Sequence, residues 1–141
     1  MPPATLHEPD RVPMQDLLRA HDLEYVERVE QGTLTAAEQR VLGLPWSEAL
    51  AERSFRTTGA TLEAARFALT NGLAMNLAGG THHAFASHGE GFCVFNDVAV
   101  AVRSLRANGL ARRDLTQRSV RLAVPELGDP WNMIHLCAWA S

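Results

Sequence analysis

Cysteine is nearly absent. Cys93 and Cys137 are the only two in 141 residues and lie far apart in the chain, so there is no disulfide framework and no Cys-x-x-Cys zinc knuckle. Charge of either sign is also modest. Thirteen basic residues face 16 acidic ones, for a net charge of −3. That leaves no electrostatic footprint for nucleic acid and no attraction to an anionic membrane surface. No apolar run is long enough to cross a bilayer. The start, Met1-Pro2-Pro3-Ala4-Thr5, lacks the basic region and apolar core of a signal peptide. Internal repeats and low-complexity tracts are missing too. These absences lead us to expect a cytoplasmic protein with neither a nucleic-acid nor a membrane partner. What remains is ordinary globular material, 46% hydrophobic and 21% charged. The length suits one domain burying about two-thirds of the unfolded chain's surface, so no metal or disulfide staple is required by size.

Local patterns divide the chain. Pro9 and Pro13 break any early helix, and the first dozen residues read as a surface loop. Met14, Leu17 and Leu18 form a short helical stripe. Asp22 opens a second helix with Leu23, Val26 and Val29 on one face and Gly32 beyond its end. Thr35-Ala36-Ala37-Glu38 fits a capping box, with the helix stopping near Gly43. From Ser47 to about Thr70 the sequence supports either one long kinked helix or two consecutive ones, since Gly59 weakens the middle by about 1 kcal/mol relative to alanine. Leu73 to Ala78 is a short apolar run between turn signals and predicts a buried strand. Asn96 or Asp97 caps a helix through about Ala107, and Ser119 to Val124 predicts a second strand. Strand, loop, helix, strand is a βαβ unit, which implies a parallel sheet with a right-handed crossover. The expected class is therefore α/β, a parallel sheet with helices packed on it. Trp131 to Ser141 looks like neither a clean strand nor a clean helix.

Ligands of open α/β sheets bind in loops beyond the carboxyl ends of the strands. Gly79-Gly80-Thr81-His82-His83-Ala84 stands at that position. Its glycines let backbone approach a ligand closely. Two adjacent imidazoles suit general acid–base work near neutral pH, one taking a proton and the other giving one. In isolation, a His-His pair in a loop is more often surface decoration. Zinc binding lacks a third and fourth ligand at a standard spacing. His88 and Glu90 read as solvated, Cys93 as an inert buried thiol and Asn96-Asp97 as a helix cap.

Taken together, Gly79-Gly80-Thr81-His82-His83-Ala84 followed by Gly91-Phe92-Cys93-Val94-Phe95-Asn96-Asp97 resembles the zinc-dependent histone deacetylase family. That family includes acetylpolyamine amidohydrolases and acetoin-utilisation proteins and shares the arginase/deacetylase fold. His21-Asp22-Leu23-Glu24-Tyr25-Val26 is similar to the family's H-x-x-x-Y-V segment. Leu44-Pro45-Trp46-Ser47 looks like the shorter bacterial members, which are similar to the class IV branch. The resemblance covers roughly residues 6 to 124. It implies that His82 and His83 are the catalytic pair, one the general base and the other an electrostatic partner or acid. It also implies that Phe92 walls an acyl-lysine tunnel, with Gly91 before it keeping the tunnel narrow. Zinc is the cofactor the resemblance implies, and an acylated lysine or related amine the substrate.

One departure bears on function. The family's next strand should run into an Asp-x-His motif supplying two zinc ligands, whereas Ser119 to Val124 ends in Pro125-Glu126-Leu127-Gly128. Asp129 and His135 have the wrong spacing to replace that motif. Residues 1–124 are thus expected to be the N-terminal part of a deacetylase-like catalytic domain, a partial arginase/deacetylase-like fold, and 125–141 a divergent tail. The family's later aspartate ligand, glycine-rich channel loop and tyrosine would lie beyond Ser141. The expectation is an inactive portion of a zinc-dependent amidohydrolase that holds no stoichiometric zinc. The alternative is a non-catalytic interaction module whose unfinished sheet edge associates with a partner chain.

Overall fold

The computed structural model describes residues 6–110, 120–123 and 135–138. The elements, in chain order, are α1 (Met14–Leu17), α2 (Leu23–Gln31), α3 (Ala36–Leu42), α4 (Glu48–Asn71), α5 (Asp97–Ala107), β1 (Val120–Ala123) and β2 (His135–Ala138). The chain leading into α1 is anchored at Val12. The Val12 N–H donates to the Phe55 carbonyl at 3.1 Å, and Val12 is buried. In α2 the buried face is Tyr25, Val26 and Val29, while Leu23, expected on that face, is 52% exposed. The α3 capping box is complete. The Glu38 N–H donates to Thr35 Oγ1 at 3.2 Å, and the Thr35 N–H donates to the Glu38 carboxylate at 2.8 Å. That return bond, together with Arg28, holds the Glu38 carboxyl below its ordinary value.

Of the two readings of residues 47–70, one continuous helix is observed. Ser47 caps α4 by accepting from the Leu50 N–H at 3.0 Å. Gly59 in its middle is explained by tertiary contact. The backbone of residues 10–12 crosses the helix there, and a Cβ at Gly59 would collide with the Asp10 carbonyl oxygen. The helical cost of glycine is accepted because no side chain fits.

The core lies between α4 and α5, with α1 against α5 and α2 against α4. Leu17, Val26, Phe55, Leu62, Phe95 and Val100 are among its side chains, all 2% exposed or less. A buried carboxylate needs hydrogen-bonding partners. Asp16, at 2% exposure, accepts from Ser104 Oγ at 2.6 Å and from Arg19 Nε at 3.3 Å, which ties α1 to α5. No described helix is long and apolar enough to cross a membrane.

The expected parallel sheet is corrected. The second expected strand exists as β1, but it pairs antiparallel with β2, Val120 opposite Ala138 and Ala123 opposite His135. The first expected strand, Leu73 to Ala78, forms no ladder. Nor is it buried as expected, since Leu73, Met75 and Leu77 are 43–67% exposed, with only Ala74 and Asn76 half-buried between them. A strand exists only where a neighbour takes its N–H and C=O groups, and among the described residues none does. The tail that looked like neither strand nor helix contains β2.

Thr35→Ala removes one half of the α3 capping box. It should lower stability by about 1 kcal/mol, read as a lower urea midpoint with an unchanged denaturant slope. An unchanged midpoint would show that the box contributes nothing.

Candidate active site

The site is built where the loop after α4 meets the N-terminus of α5. Asn96 is the cap, its Oδ1 accepting from the Ala99 N–H at 2.9 Å. Its side-chain amide also donates to the carbonyls of His82 and Ala84 at 3.0 and 3.2 Å. Asp97 begins the helix and is wholly buried. Its carboxylate accepts from the Gly80 N–H at 2.9 Å, the Thr81 N–H at 3.0 Å and the Thr61 hydroxyl at 2.6 Å. Thr61 Oγ1 in turn accepts from the Asn76 amide at 2.8 Å. Gly79 lies directly over this cluster. A Cβ there would stand 2.9–3.1 Å from Asn76 Nδ2, Thr61 Oγ1 and Asp97 Oδ2, closer than carbon can sit without displacing them.

His82 and His83 are brought together, with ring centroids 4.1 Å apart and planes at 39°. His82 Nδ1 lies 3.0 Å from the Gly80 carbonyl oxygen. A carbonyl can only accept, so Nδ1 carries the proton and Nε2 is the atom left to exchange one. Gly91 faces His83, where a Cβ added to the glycine would come to 3.5 Å from the His83 side chain. Residues Glu90 to Cys93 form a tight reversal, with the Glu90 and Cys93 backbones exchanging bonds of 3.1 and 2.9 Å. Both central residues have positive φ, Gly91 at 55° and Phe92 at 65°, the pattern of primed hairpin turns. Phe92 is the only non-glycine among the described residues with positive φ. Its N–H donates to the last carbonyl of α3, Leu42, at 2.8 Å, which helps hold it there.

The Phe92 ring is 68% exposed and lies over Gly43. With Thr81, Leu44, Leu50, Ser54 and Thr57 it borders a cavity of about 200 Å³ that neither histidine lines. His88, expected to be solvated, is half-buried and stacks on Phe85 at 4.7 Å. Cys93 is buried, and burial pushes its thiol up, as an inert thiol requires. Among the described residues no three His, Cys, Asp or Glu side chains come together to hold a metal. A catalytic zinc takes three protein ligands, so the residues described do not fit one.

Five supporting residues carry little or no local signal of their role. Thr61 and Asn76 carry no sequence signature, and Asp97 was read as part of a cap. His21 is buried at 3% exposure, and its Nε2 accepts from the Asn96 N–H at 2.9 Å. Nδ1 of His21 is buried without a hydrogen-bond partner. Tyr25 donates to the Val94 carbonyl at 2.8 Å, fixing the strip between Phe92 and α5. His21 and Tyr25 both fall in the quoted H-x-x-x-Y-V segment, which was the available signal for them.

Residues 2–113 match the histone deacetylase domain. An uncharacterized protein of Picosynechococcus is 44% identical over 113 residues, covering 80% of this chain and 38% of that protein. The acetoin utilization protein AcuC of Bacillus subtilis is 32% identical over 108 residues, covering 70% of this chain and 28% of AcuC. A crystal structure of an HDAC homologue from Aquifex aeolicus superposes with a TM-score of 0.64 at 29% identity, over 74% of this chain and 30% of that one. The chain belongs to the histone deacetylase family. It spans well under half the length of these relatives.

Burial lowers the His21 pKa from its ordinary 6.5, against a smaller upward pull from the Ala86 and Phe85 carbonyls and Asp22. The folded state therefore prefers neutral His21. Its contribution is complete above pH 6.5 and is lost as pH falls from there toward the lower folded value, where the unfolded chain binds the extra proton. Stability should fall between pH 7.5 and pH 5, and His21→Gln, which keeps an acceptor but does not titrate, should flatten that fall. Equal pH slopes in the two proteins would refute the assignment.

Proposed function

We propose that this chain carries the acid–base part of a histone deacetylase-like site that hydrolyses the amide of an acylated, typically acetylated, lysine or related amine. The observation that carries the reading is the His82–His83 pair, held at 4.1 Å with the proton of His82 fixed on Nδ1 by the Gly80 carbonyl. Amide hydrolysis needs a proton taken from water and a proton given to the leaving amine. Nε2 of His82 serves the first step and the neighbouring His83 ring the second. Gly91 and Phe92 form the substrate side, with Gly91 against His83 and the exposed Phe92 ring set to meet the acyl-bearing stem. By this reading residues 1–124 are the N-terminal part of the catalytic domain and residues 125–141 a divergent tail. The zinc implied by the family finds no ligand set among the described residues.

The chain by itself is then inactive. Purified and supplied with zinc and an acetyl-lysine peptide, it should show no turnover and bind less than one zinc per chain. One tightly held zinc, with hydrolysis abolished by a chelator, would overturn this.

In a complete deacetylase domain carrying residues 6–110 of this chain, His82→Ala and His83→Ala should each lower turnover by about 10²–10⁴-fold, with zinc content unchanged. Zinc lost together with activity would make the histidines ligands instead.

A further inference from the structure

We propose that Asp97 is a positioning residue for the histidine pair: its buried carboxylate sets the loop that carries His82 and His83, with Thr61 of α4 as its orienting partner. The inference rests on the acid–base reading of the pair and extends it to residues that touch neither substrate nor the reacting atoms. Three donors converge on this carboxylate, two of them the successive backbone N–H groups of Gly80 and Thr81, immediately before His82. The third, the Thr61 hydroxyl at 2.6 Å, donates to Oδ2, the oxygen that the Gly80 N–H also reaches. Asp97 is 0% exposed, so water cannot replace a lost donor, and no cationic side chain is paired with it among the described residues. A buried carboxylate in this setting is tolerable only if its donors stay in place. The first turn of α5 favours negative charge at the same point.

The connection to chemistry runs through Gly80. Its N–H donates to Asp97, while its carbonyl accepts from both the backbone N–H and ring Nδ1 of His82. Orienting the Gly79–Gly80 and Gly80–Thr81 peptide groups therefore orients the acceptor that decides which nitrogen of His82 holds the proton. The neighbouring cap is a different device. Asn96 grips the carbonyls after each histidine turn, at His82 and Ala84, whereas Asp97 grips the N–H groups before them. The loop is thus held from both polar ends by two consecutive residues of one helix start.

The test uses the full chain, isotopically labelled for NMR, and reads geometry rather than turnover. Asp97→Asn keeps the shape but replaces one acceptor oxygen by a donor. Relative to Val100 in α5, amide exchange at Gly80 and Thr81 should rise by about tenfold or more, the worth of a hydrogen bond to a charged acceptor. The ring-to-ring contact between His82 and His83 and the Nδ1–H signature of His82 should be lost, with the α5 amides unchanged. If Asp97→Asn does not fold, Thr61→Val against Thr61→Ser decides. Valine should weaken the same signals, and serine, which keeps the hydroxyl, should restore them. Unaltered loop exchange and ring contact in Asp97→Asn, or equal behaviour of the valine and serine variants, would overturn the positioning role. Because the signals do not depend on hydrolysis, a failure of the catalytic reading would leave them intact and so be told apart.

Discussion

A carboxylate with no water around it governs this structure. Asp97 is fully buried at the start of α5, and an ionised group in that place is tolerated only with a complete set of donors. Those donors come from two places far apart in sequence, the Gly80–Thr81 backbone and the Thr61 hydroxyl. Satisfying the charge therefore joins α4, the glycine-histidine loop and α5 at one point. Gly79 follows from the same demand, since the cluster beneath it leaves no room for a Cβ.

The amino-terminal helices close around that point from the other side. His21 accepts from the Asn96 N–H, Tyr25 donates to the Val94 carbonyl, and Asp16 accepts from Ser104. All three bonds end on α5 or on the strip leading into it, and all are buried or nearly so. A hydrogen bond between buried partners costs much more to break than it contributes when formed. Two of these bonds, at Asn96 and Val94, fix the chain entering α5, beside the loop that carries the two imidazoles. Phe92 shows the same logic at the rim. A bulky residue with positive φ is strained, and its bond to the end of α3 helps hold that conformation and leave the ring exposed.

Much of this was legible in the residues. The capping box at Thr35, the glycine stops at Gly32 and Gly43, the cap at Asn96 and the span of α5 are decided within a few residues of themselves, because the groups they satisfy are local backbone N–H and C=O groups. The histidine pair and the Gly91-Phe92 turn were legible as a motif, which also led to the family. The parallel sheet was not legible. Leu73 to Ala78 is an apolar run between turn signals, but such a run says nothing about whether a neighbouring backbone exists to pair with it.

What the sequence determined by itself was therefore the local part: helix ends, caps, and the motif that carries His82, His83, Gly91 and Phe92. Tertiary structure alone decided the rest. It made α4 one helix, because residues 10–12 cross at Gly59. It paired β1 with β2 rather than with residues 73–78. It turned Asp97 from an ordinary first-turn acid into the anchor of the histidine loop, with Thr61 and Asn76 as its neighbours. The physical reason is common to all three. Each depends on which groups from separate segments meet, and such a contact leaves no periodic trace in either segment.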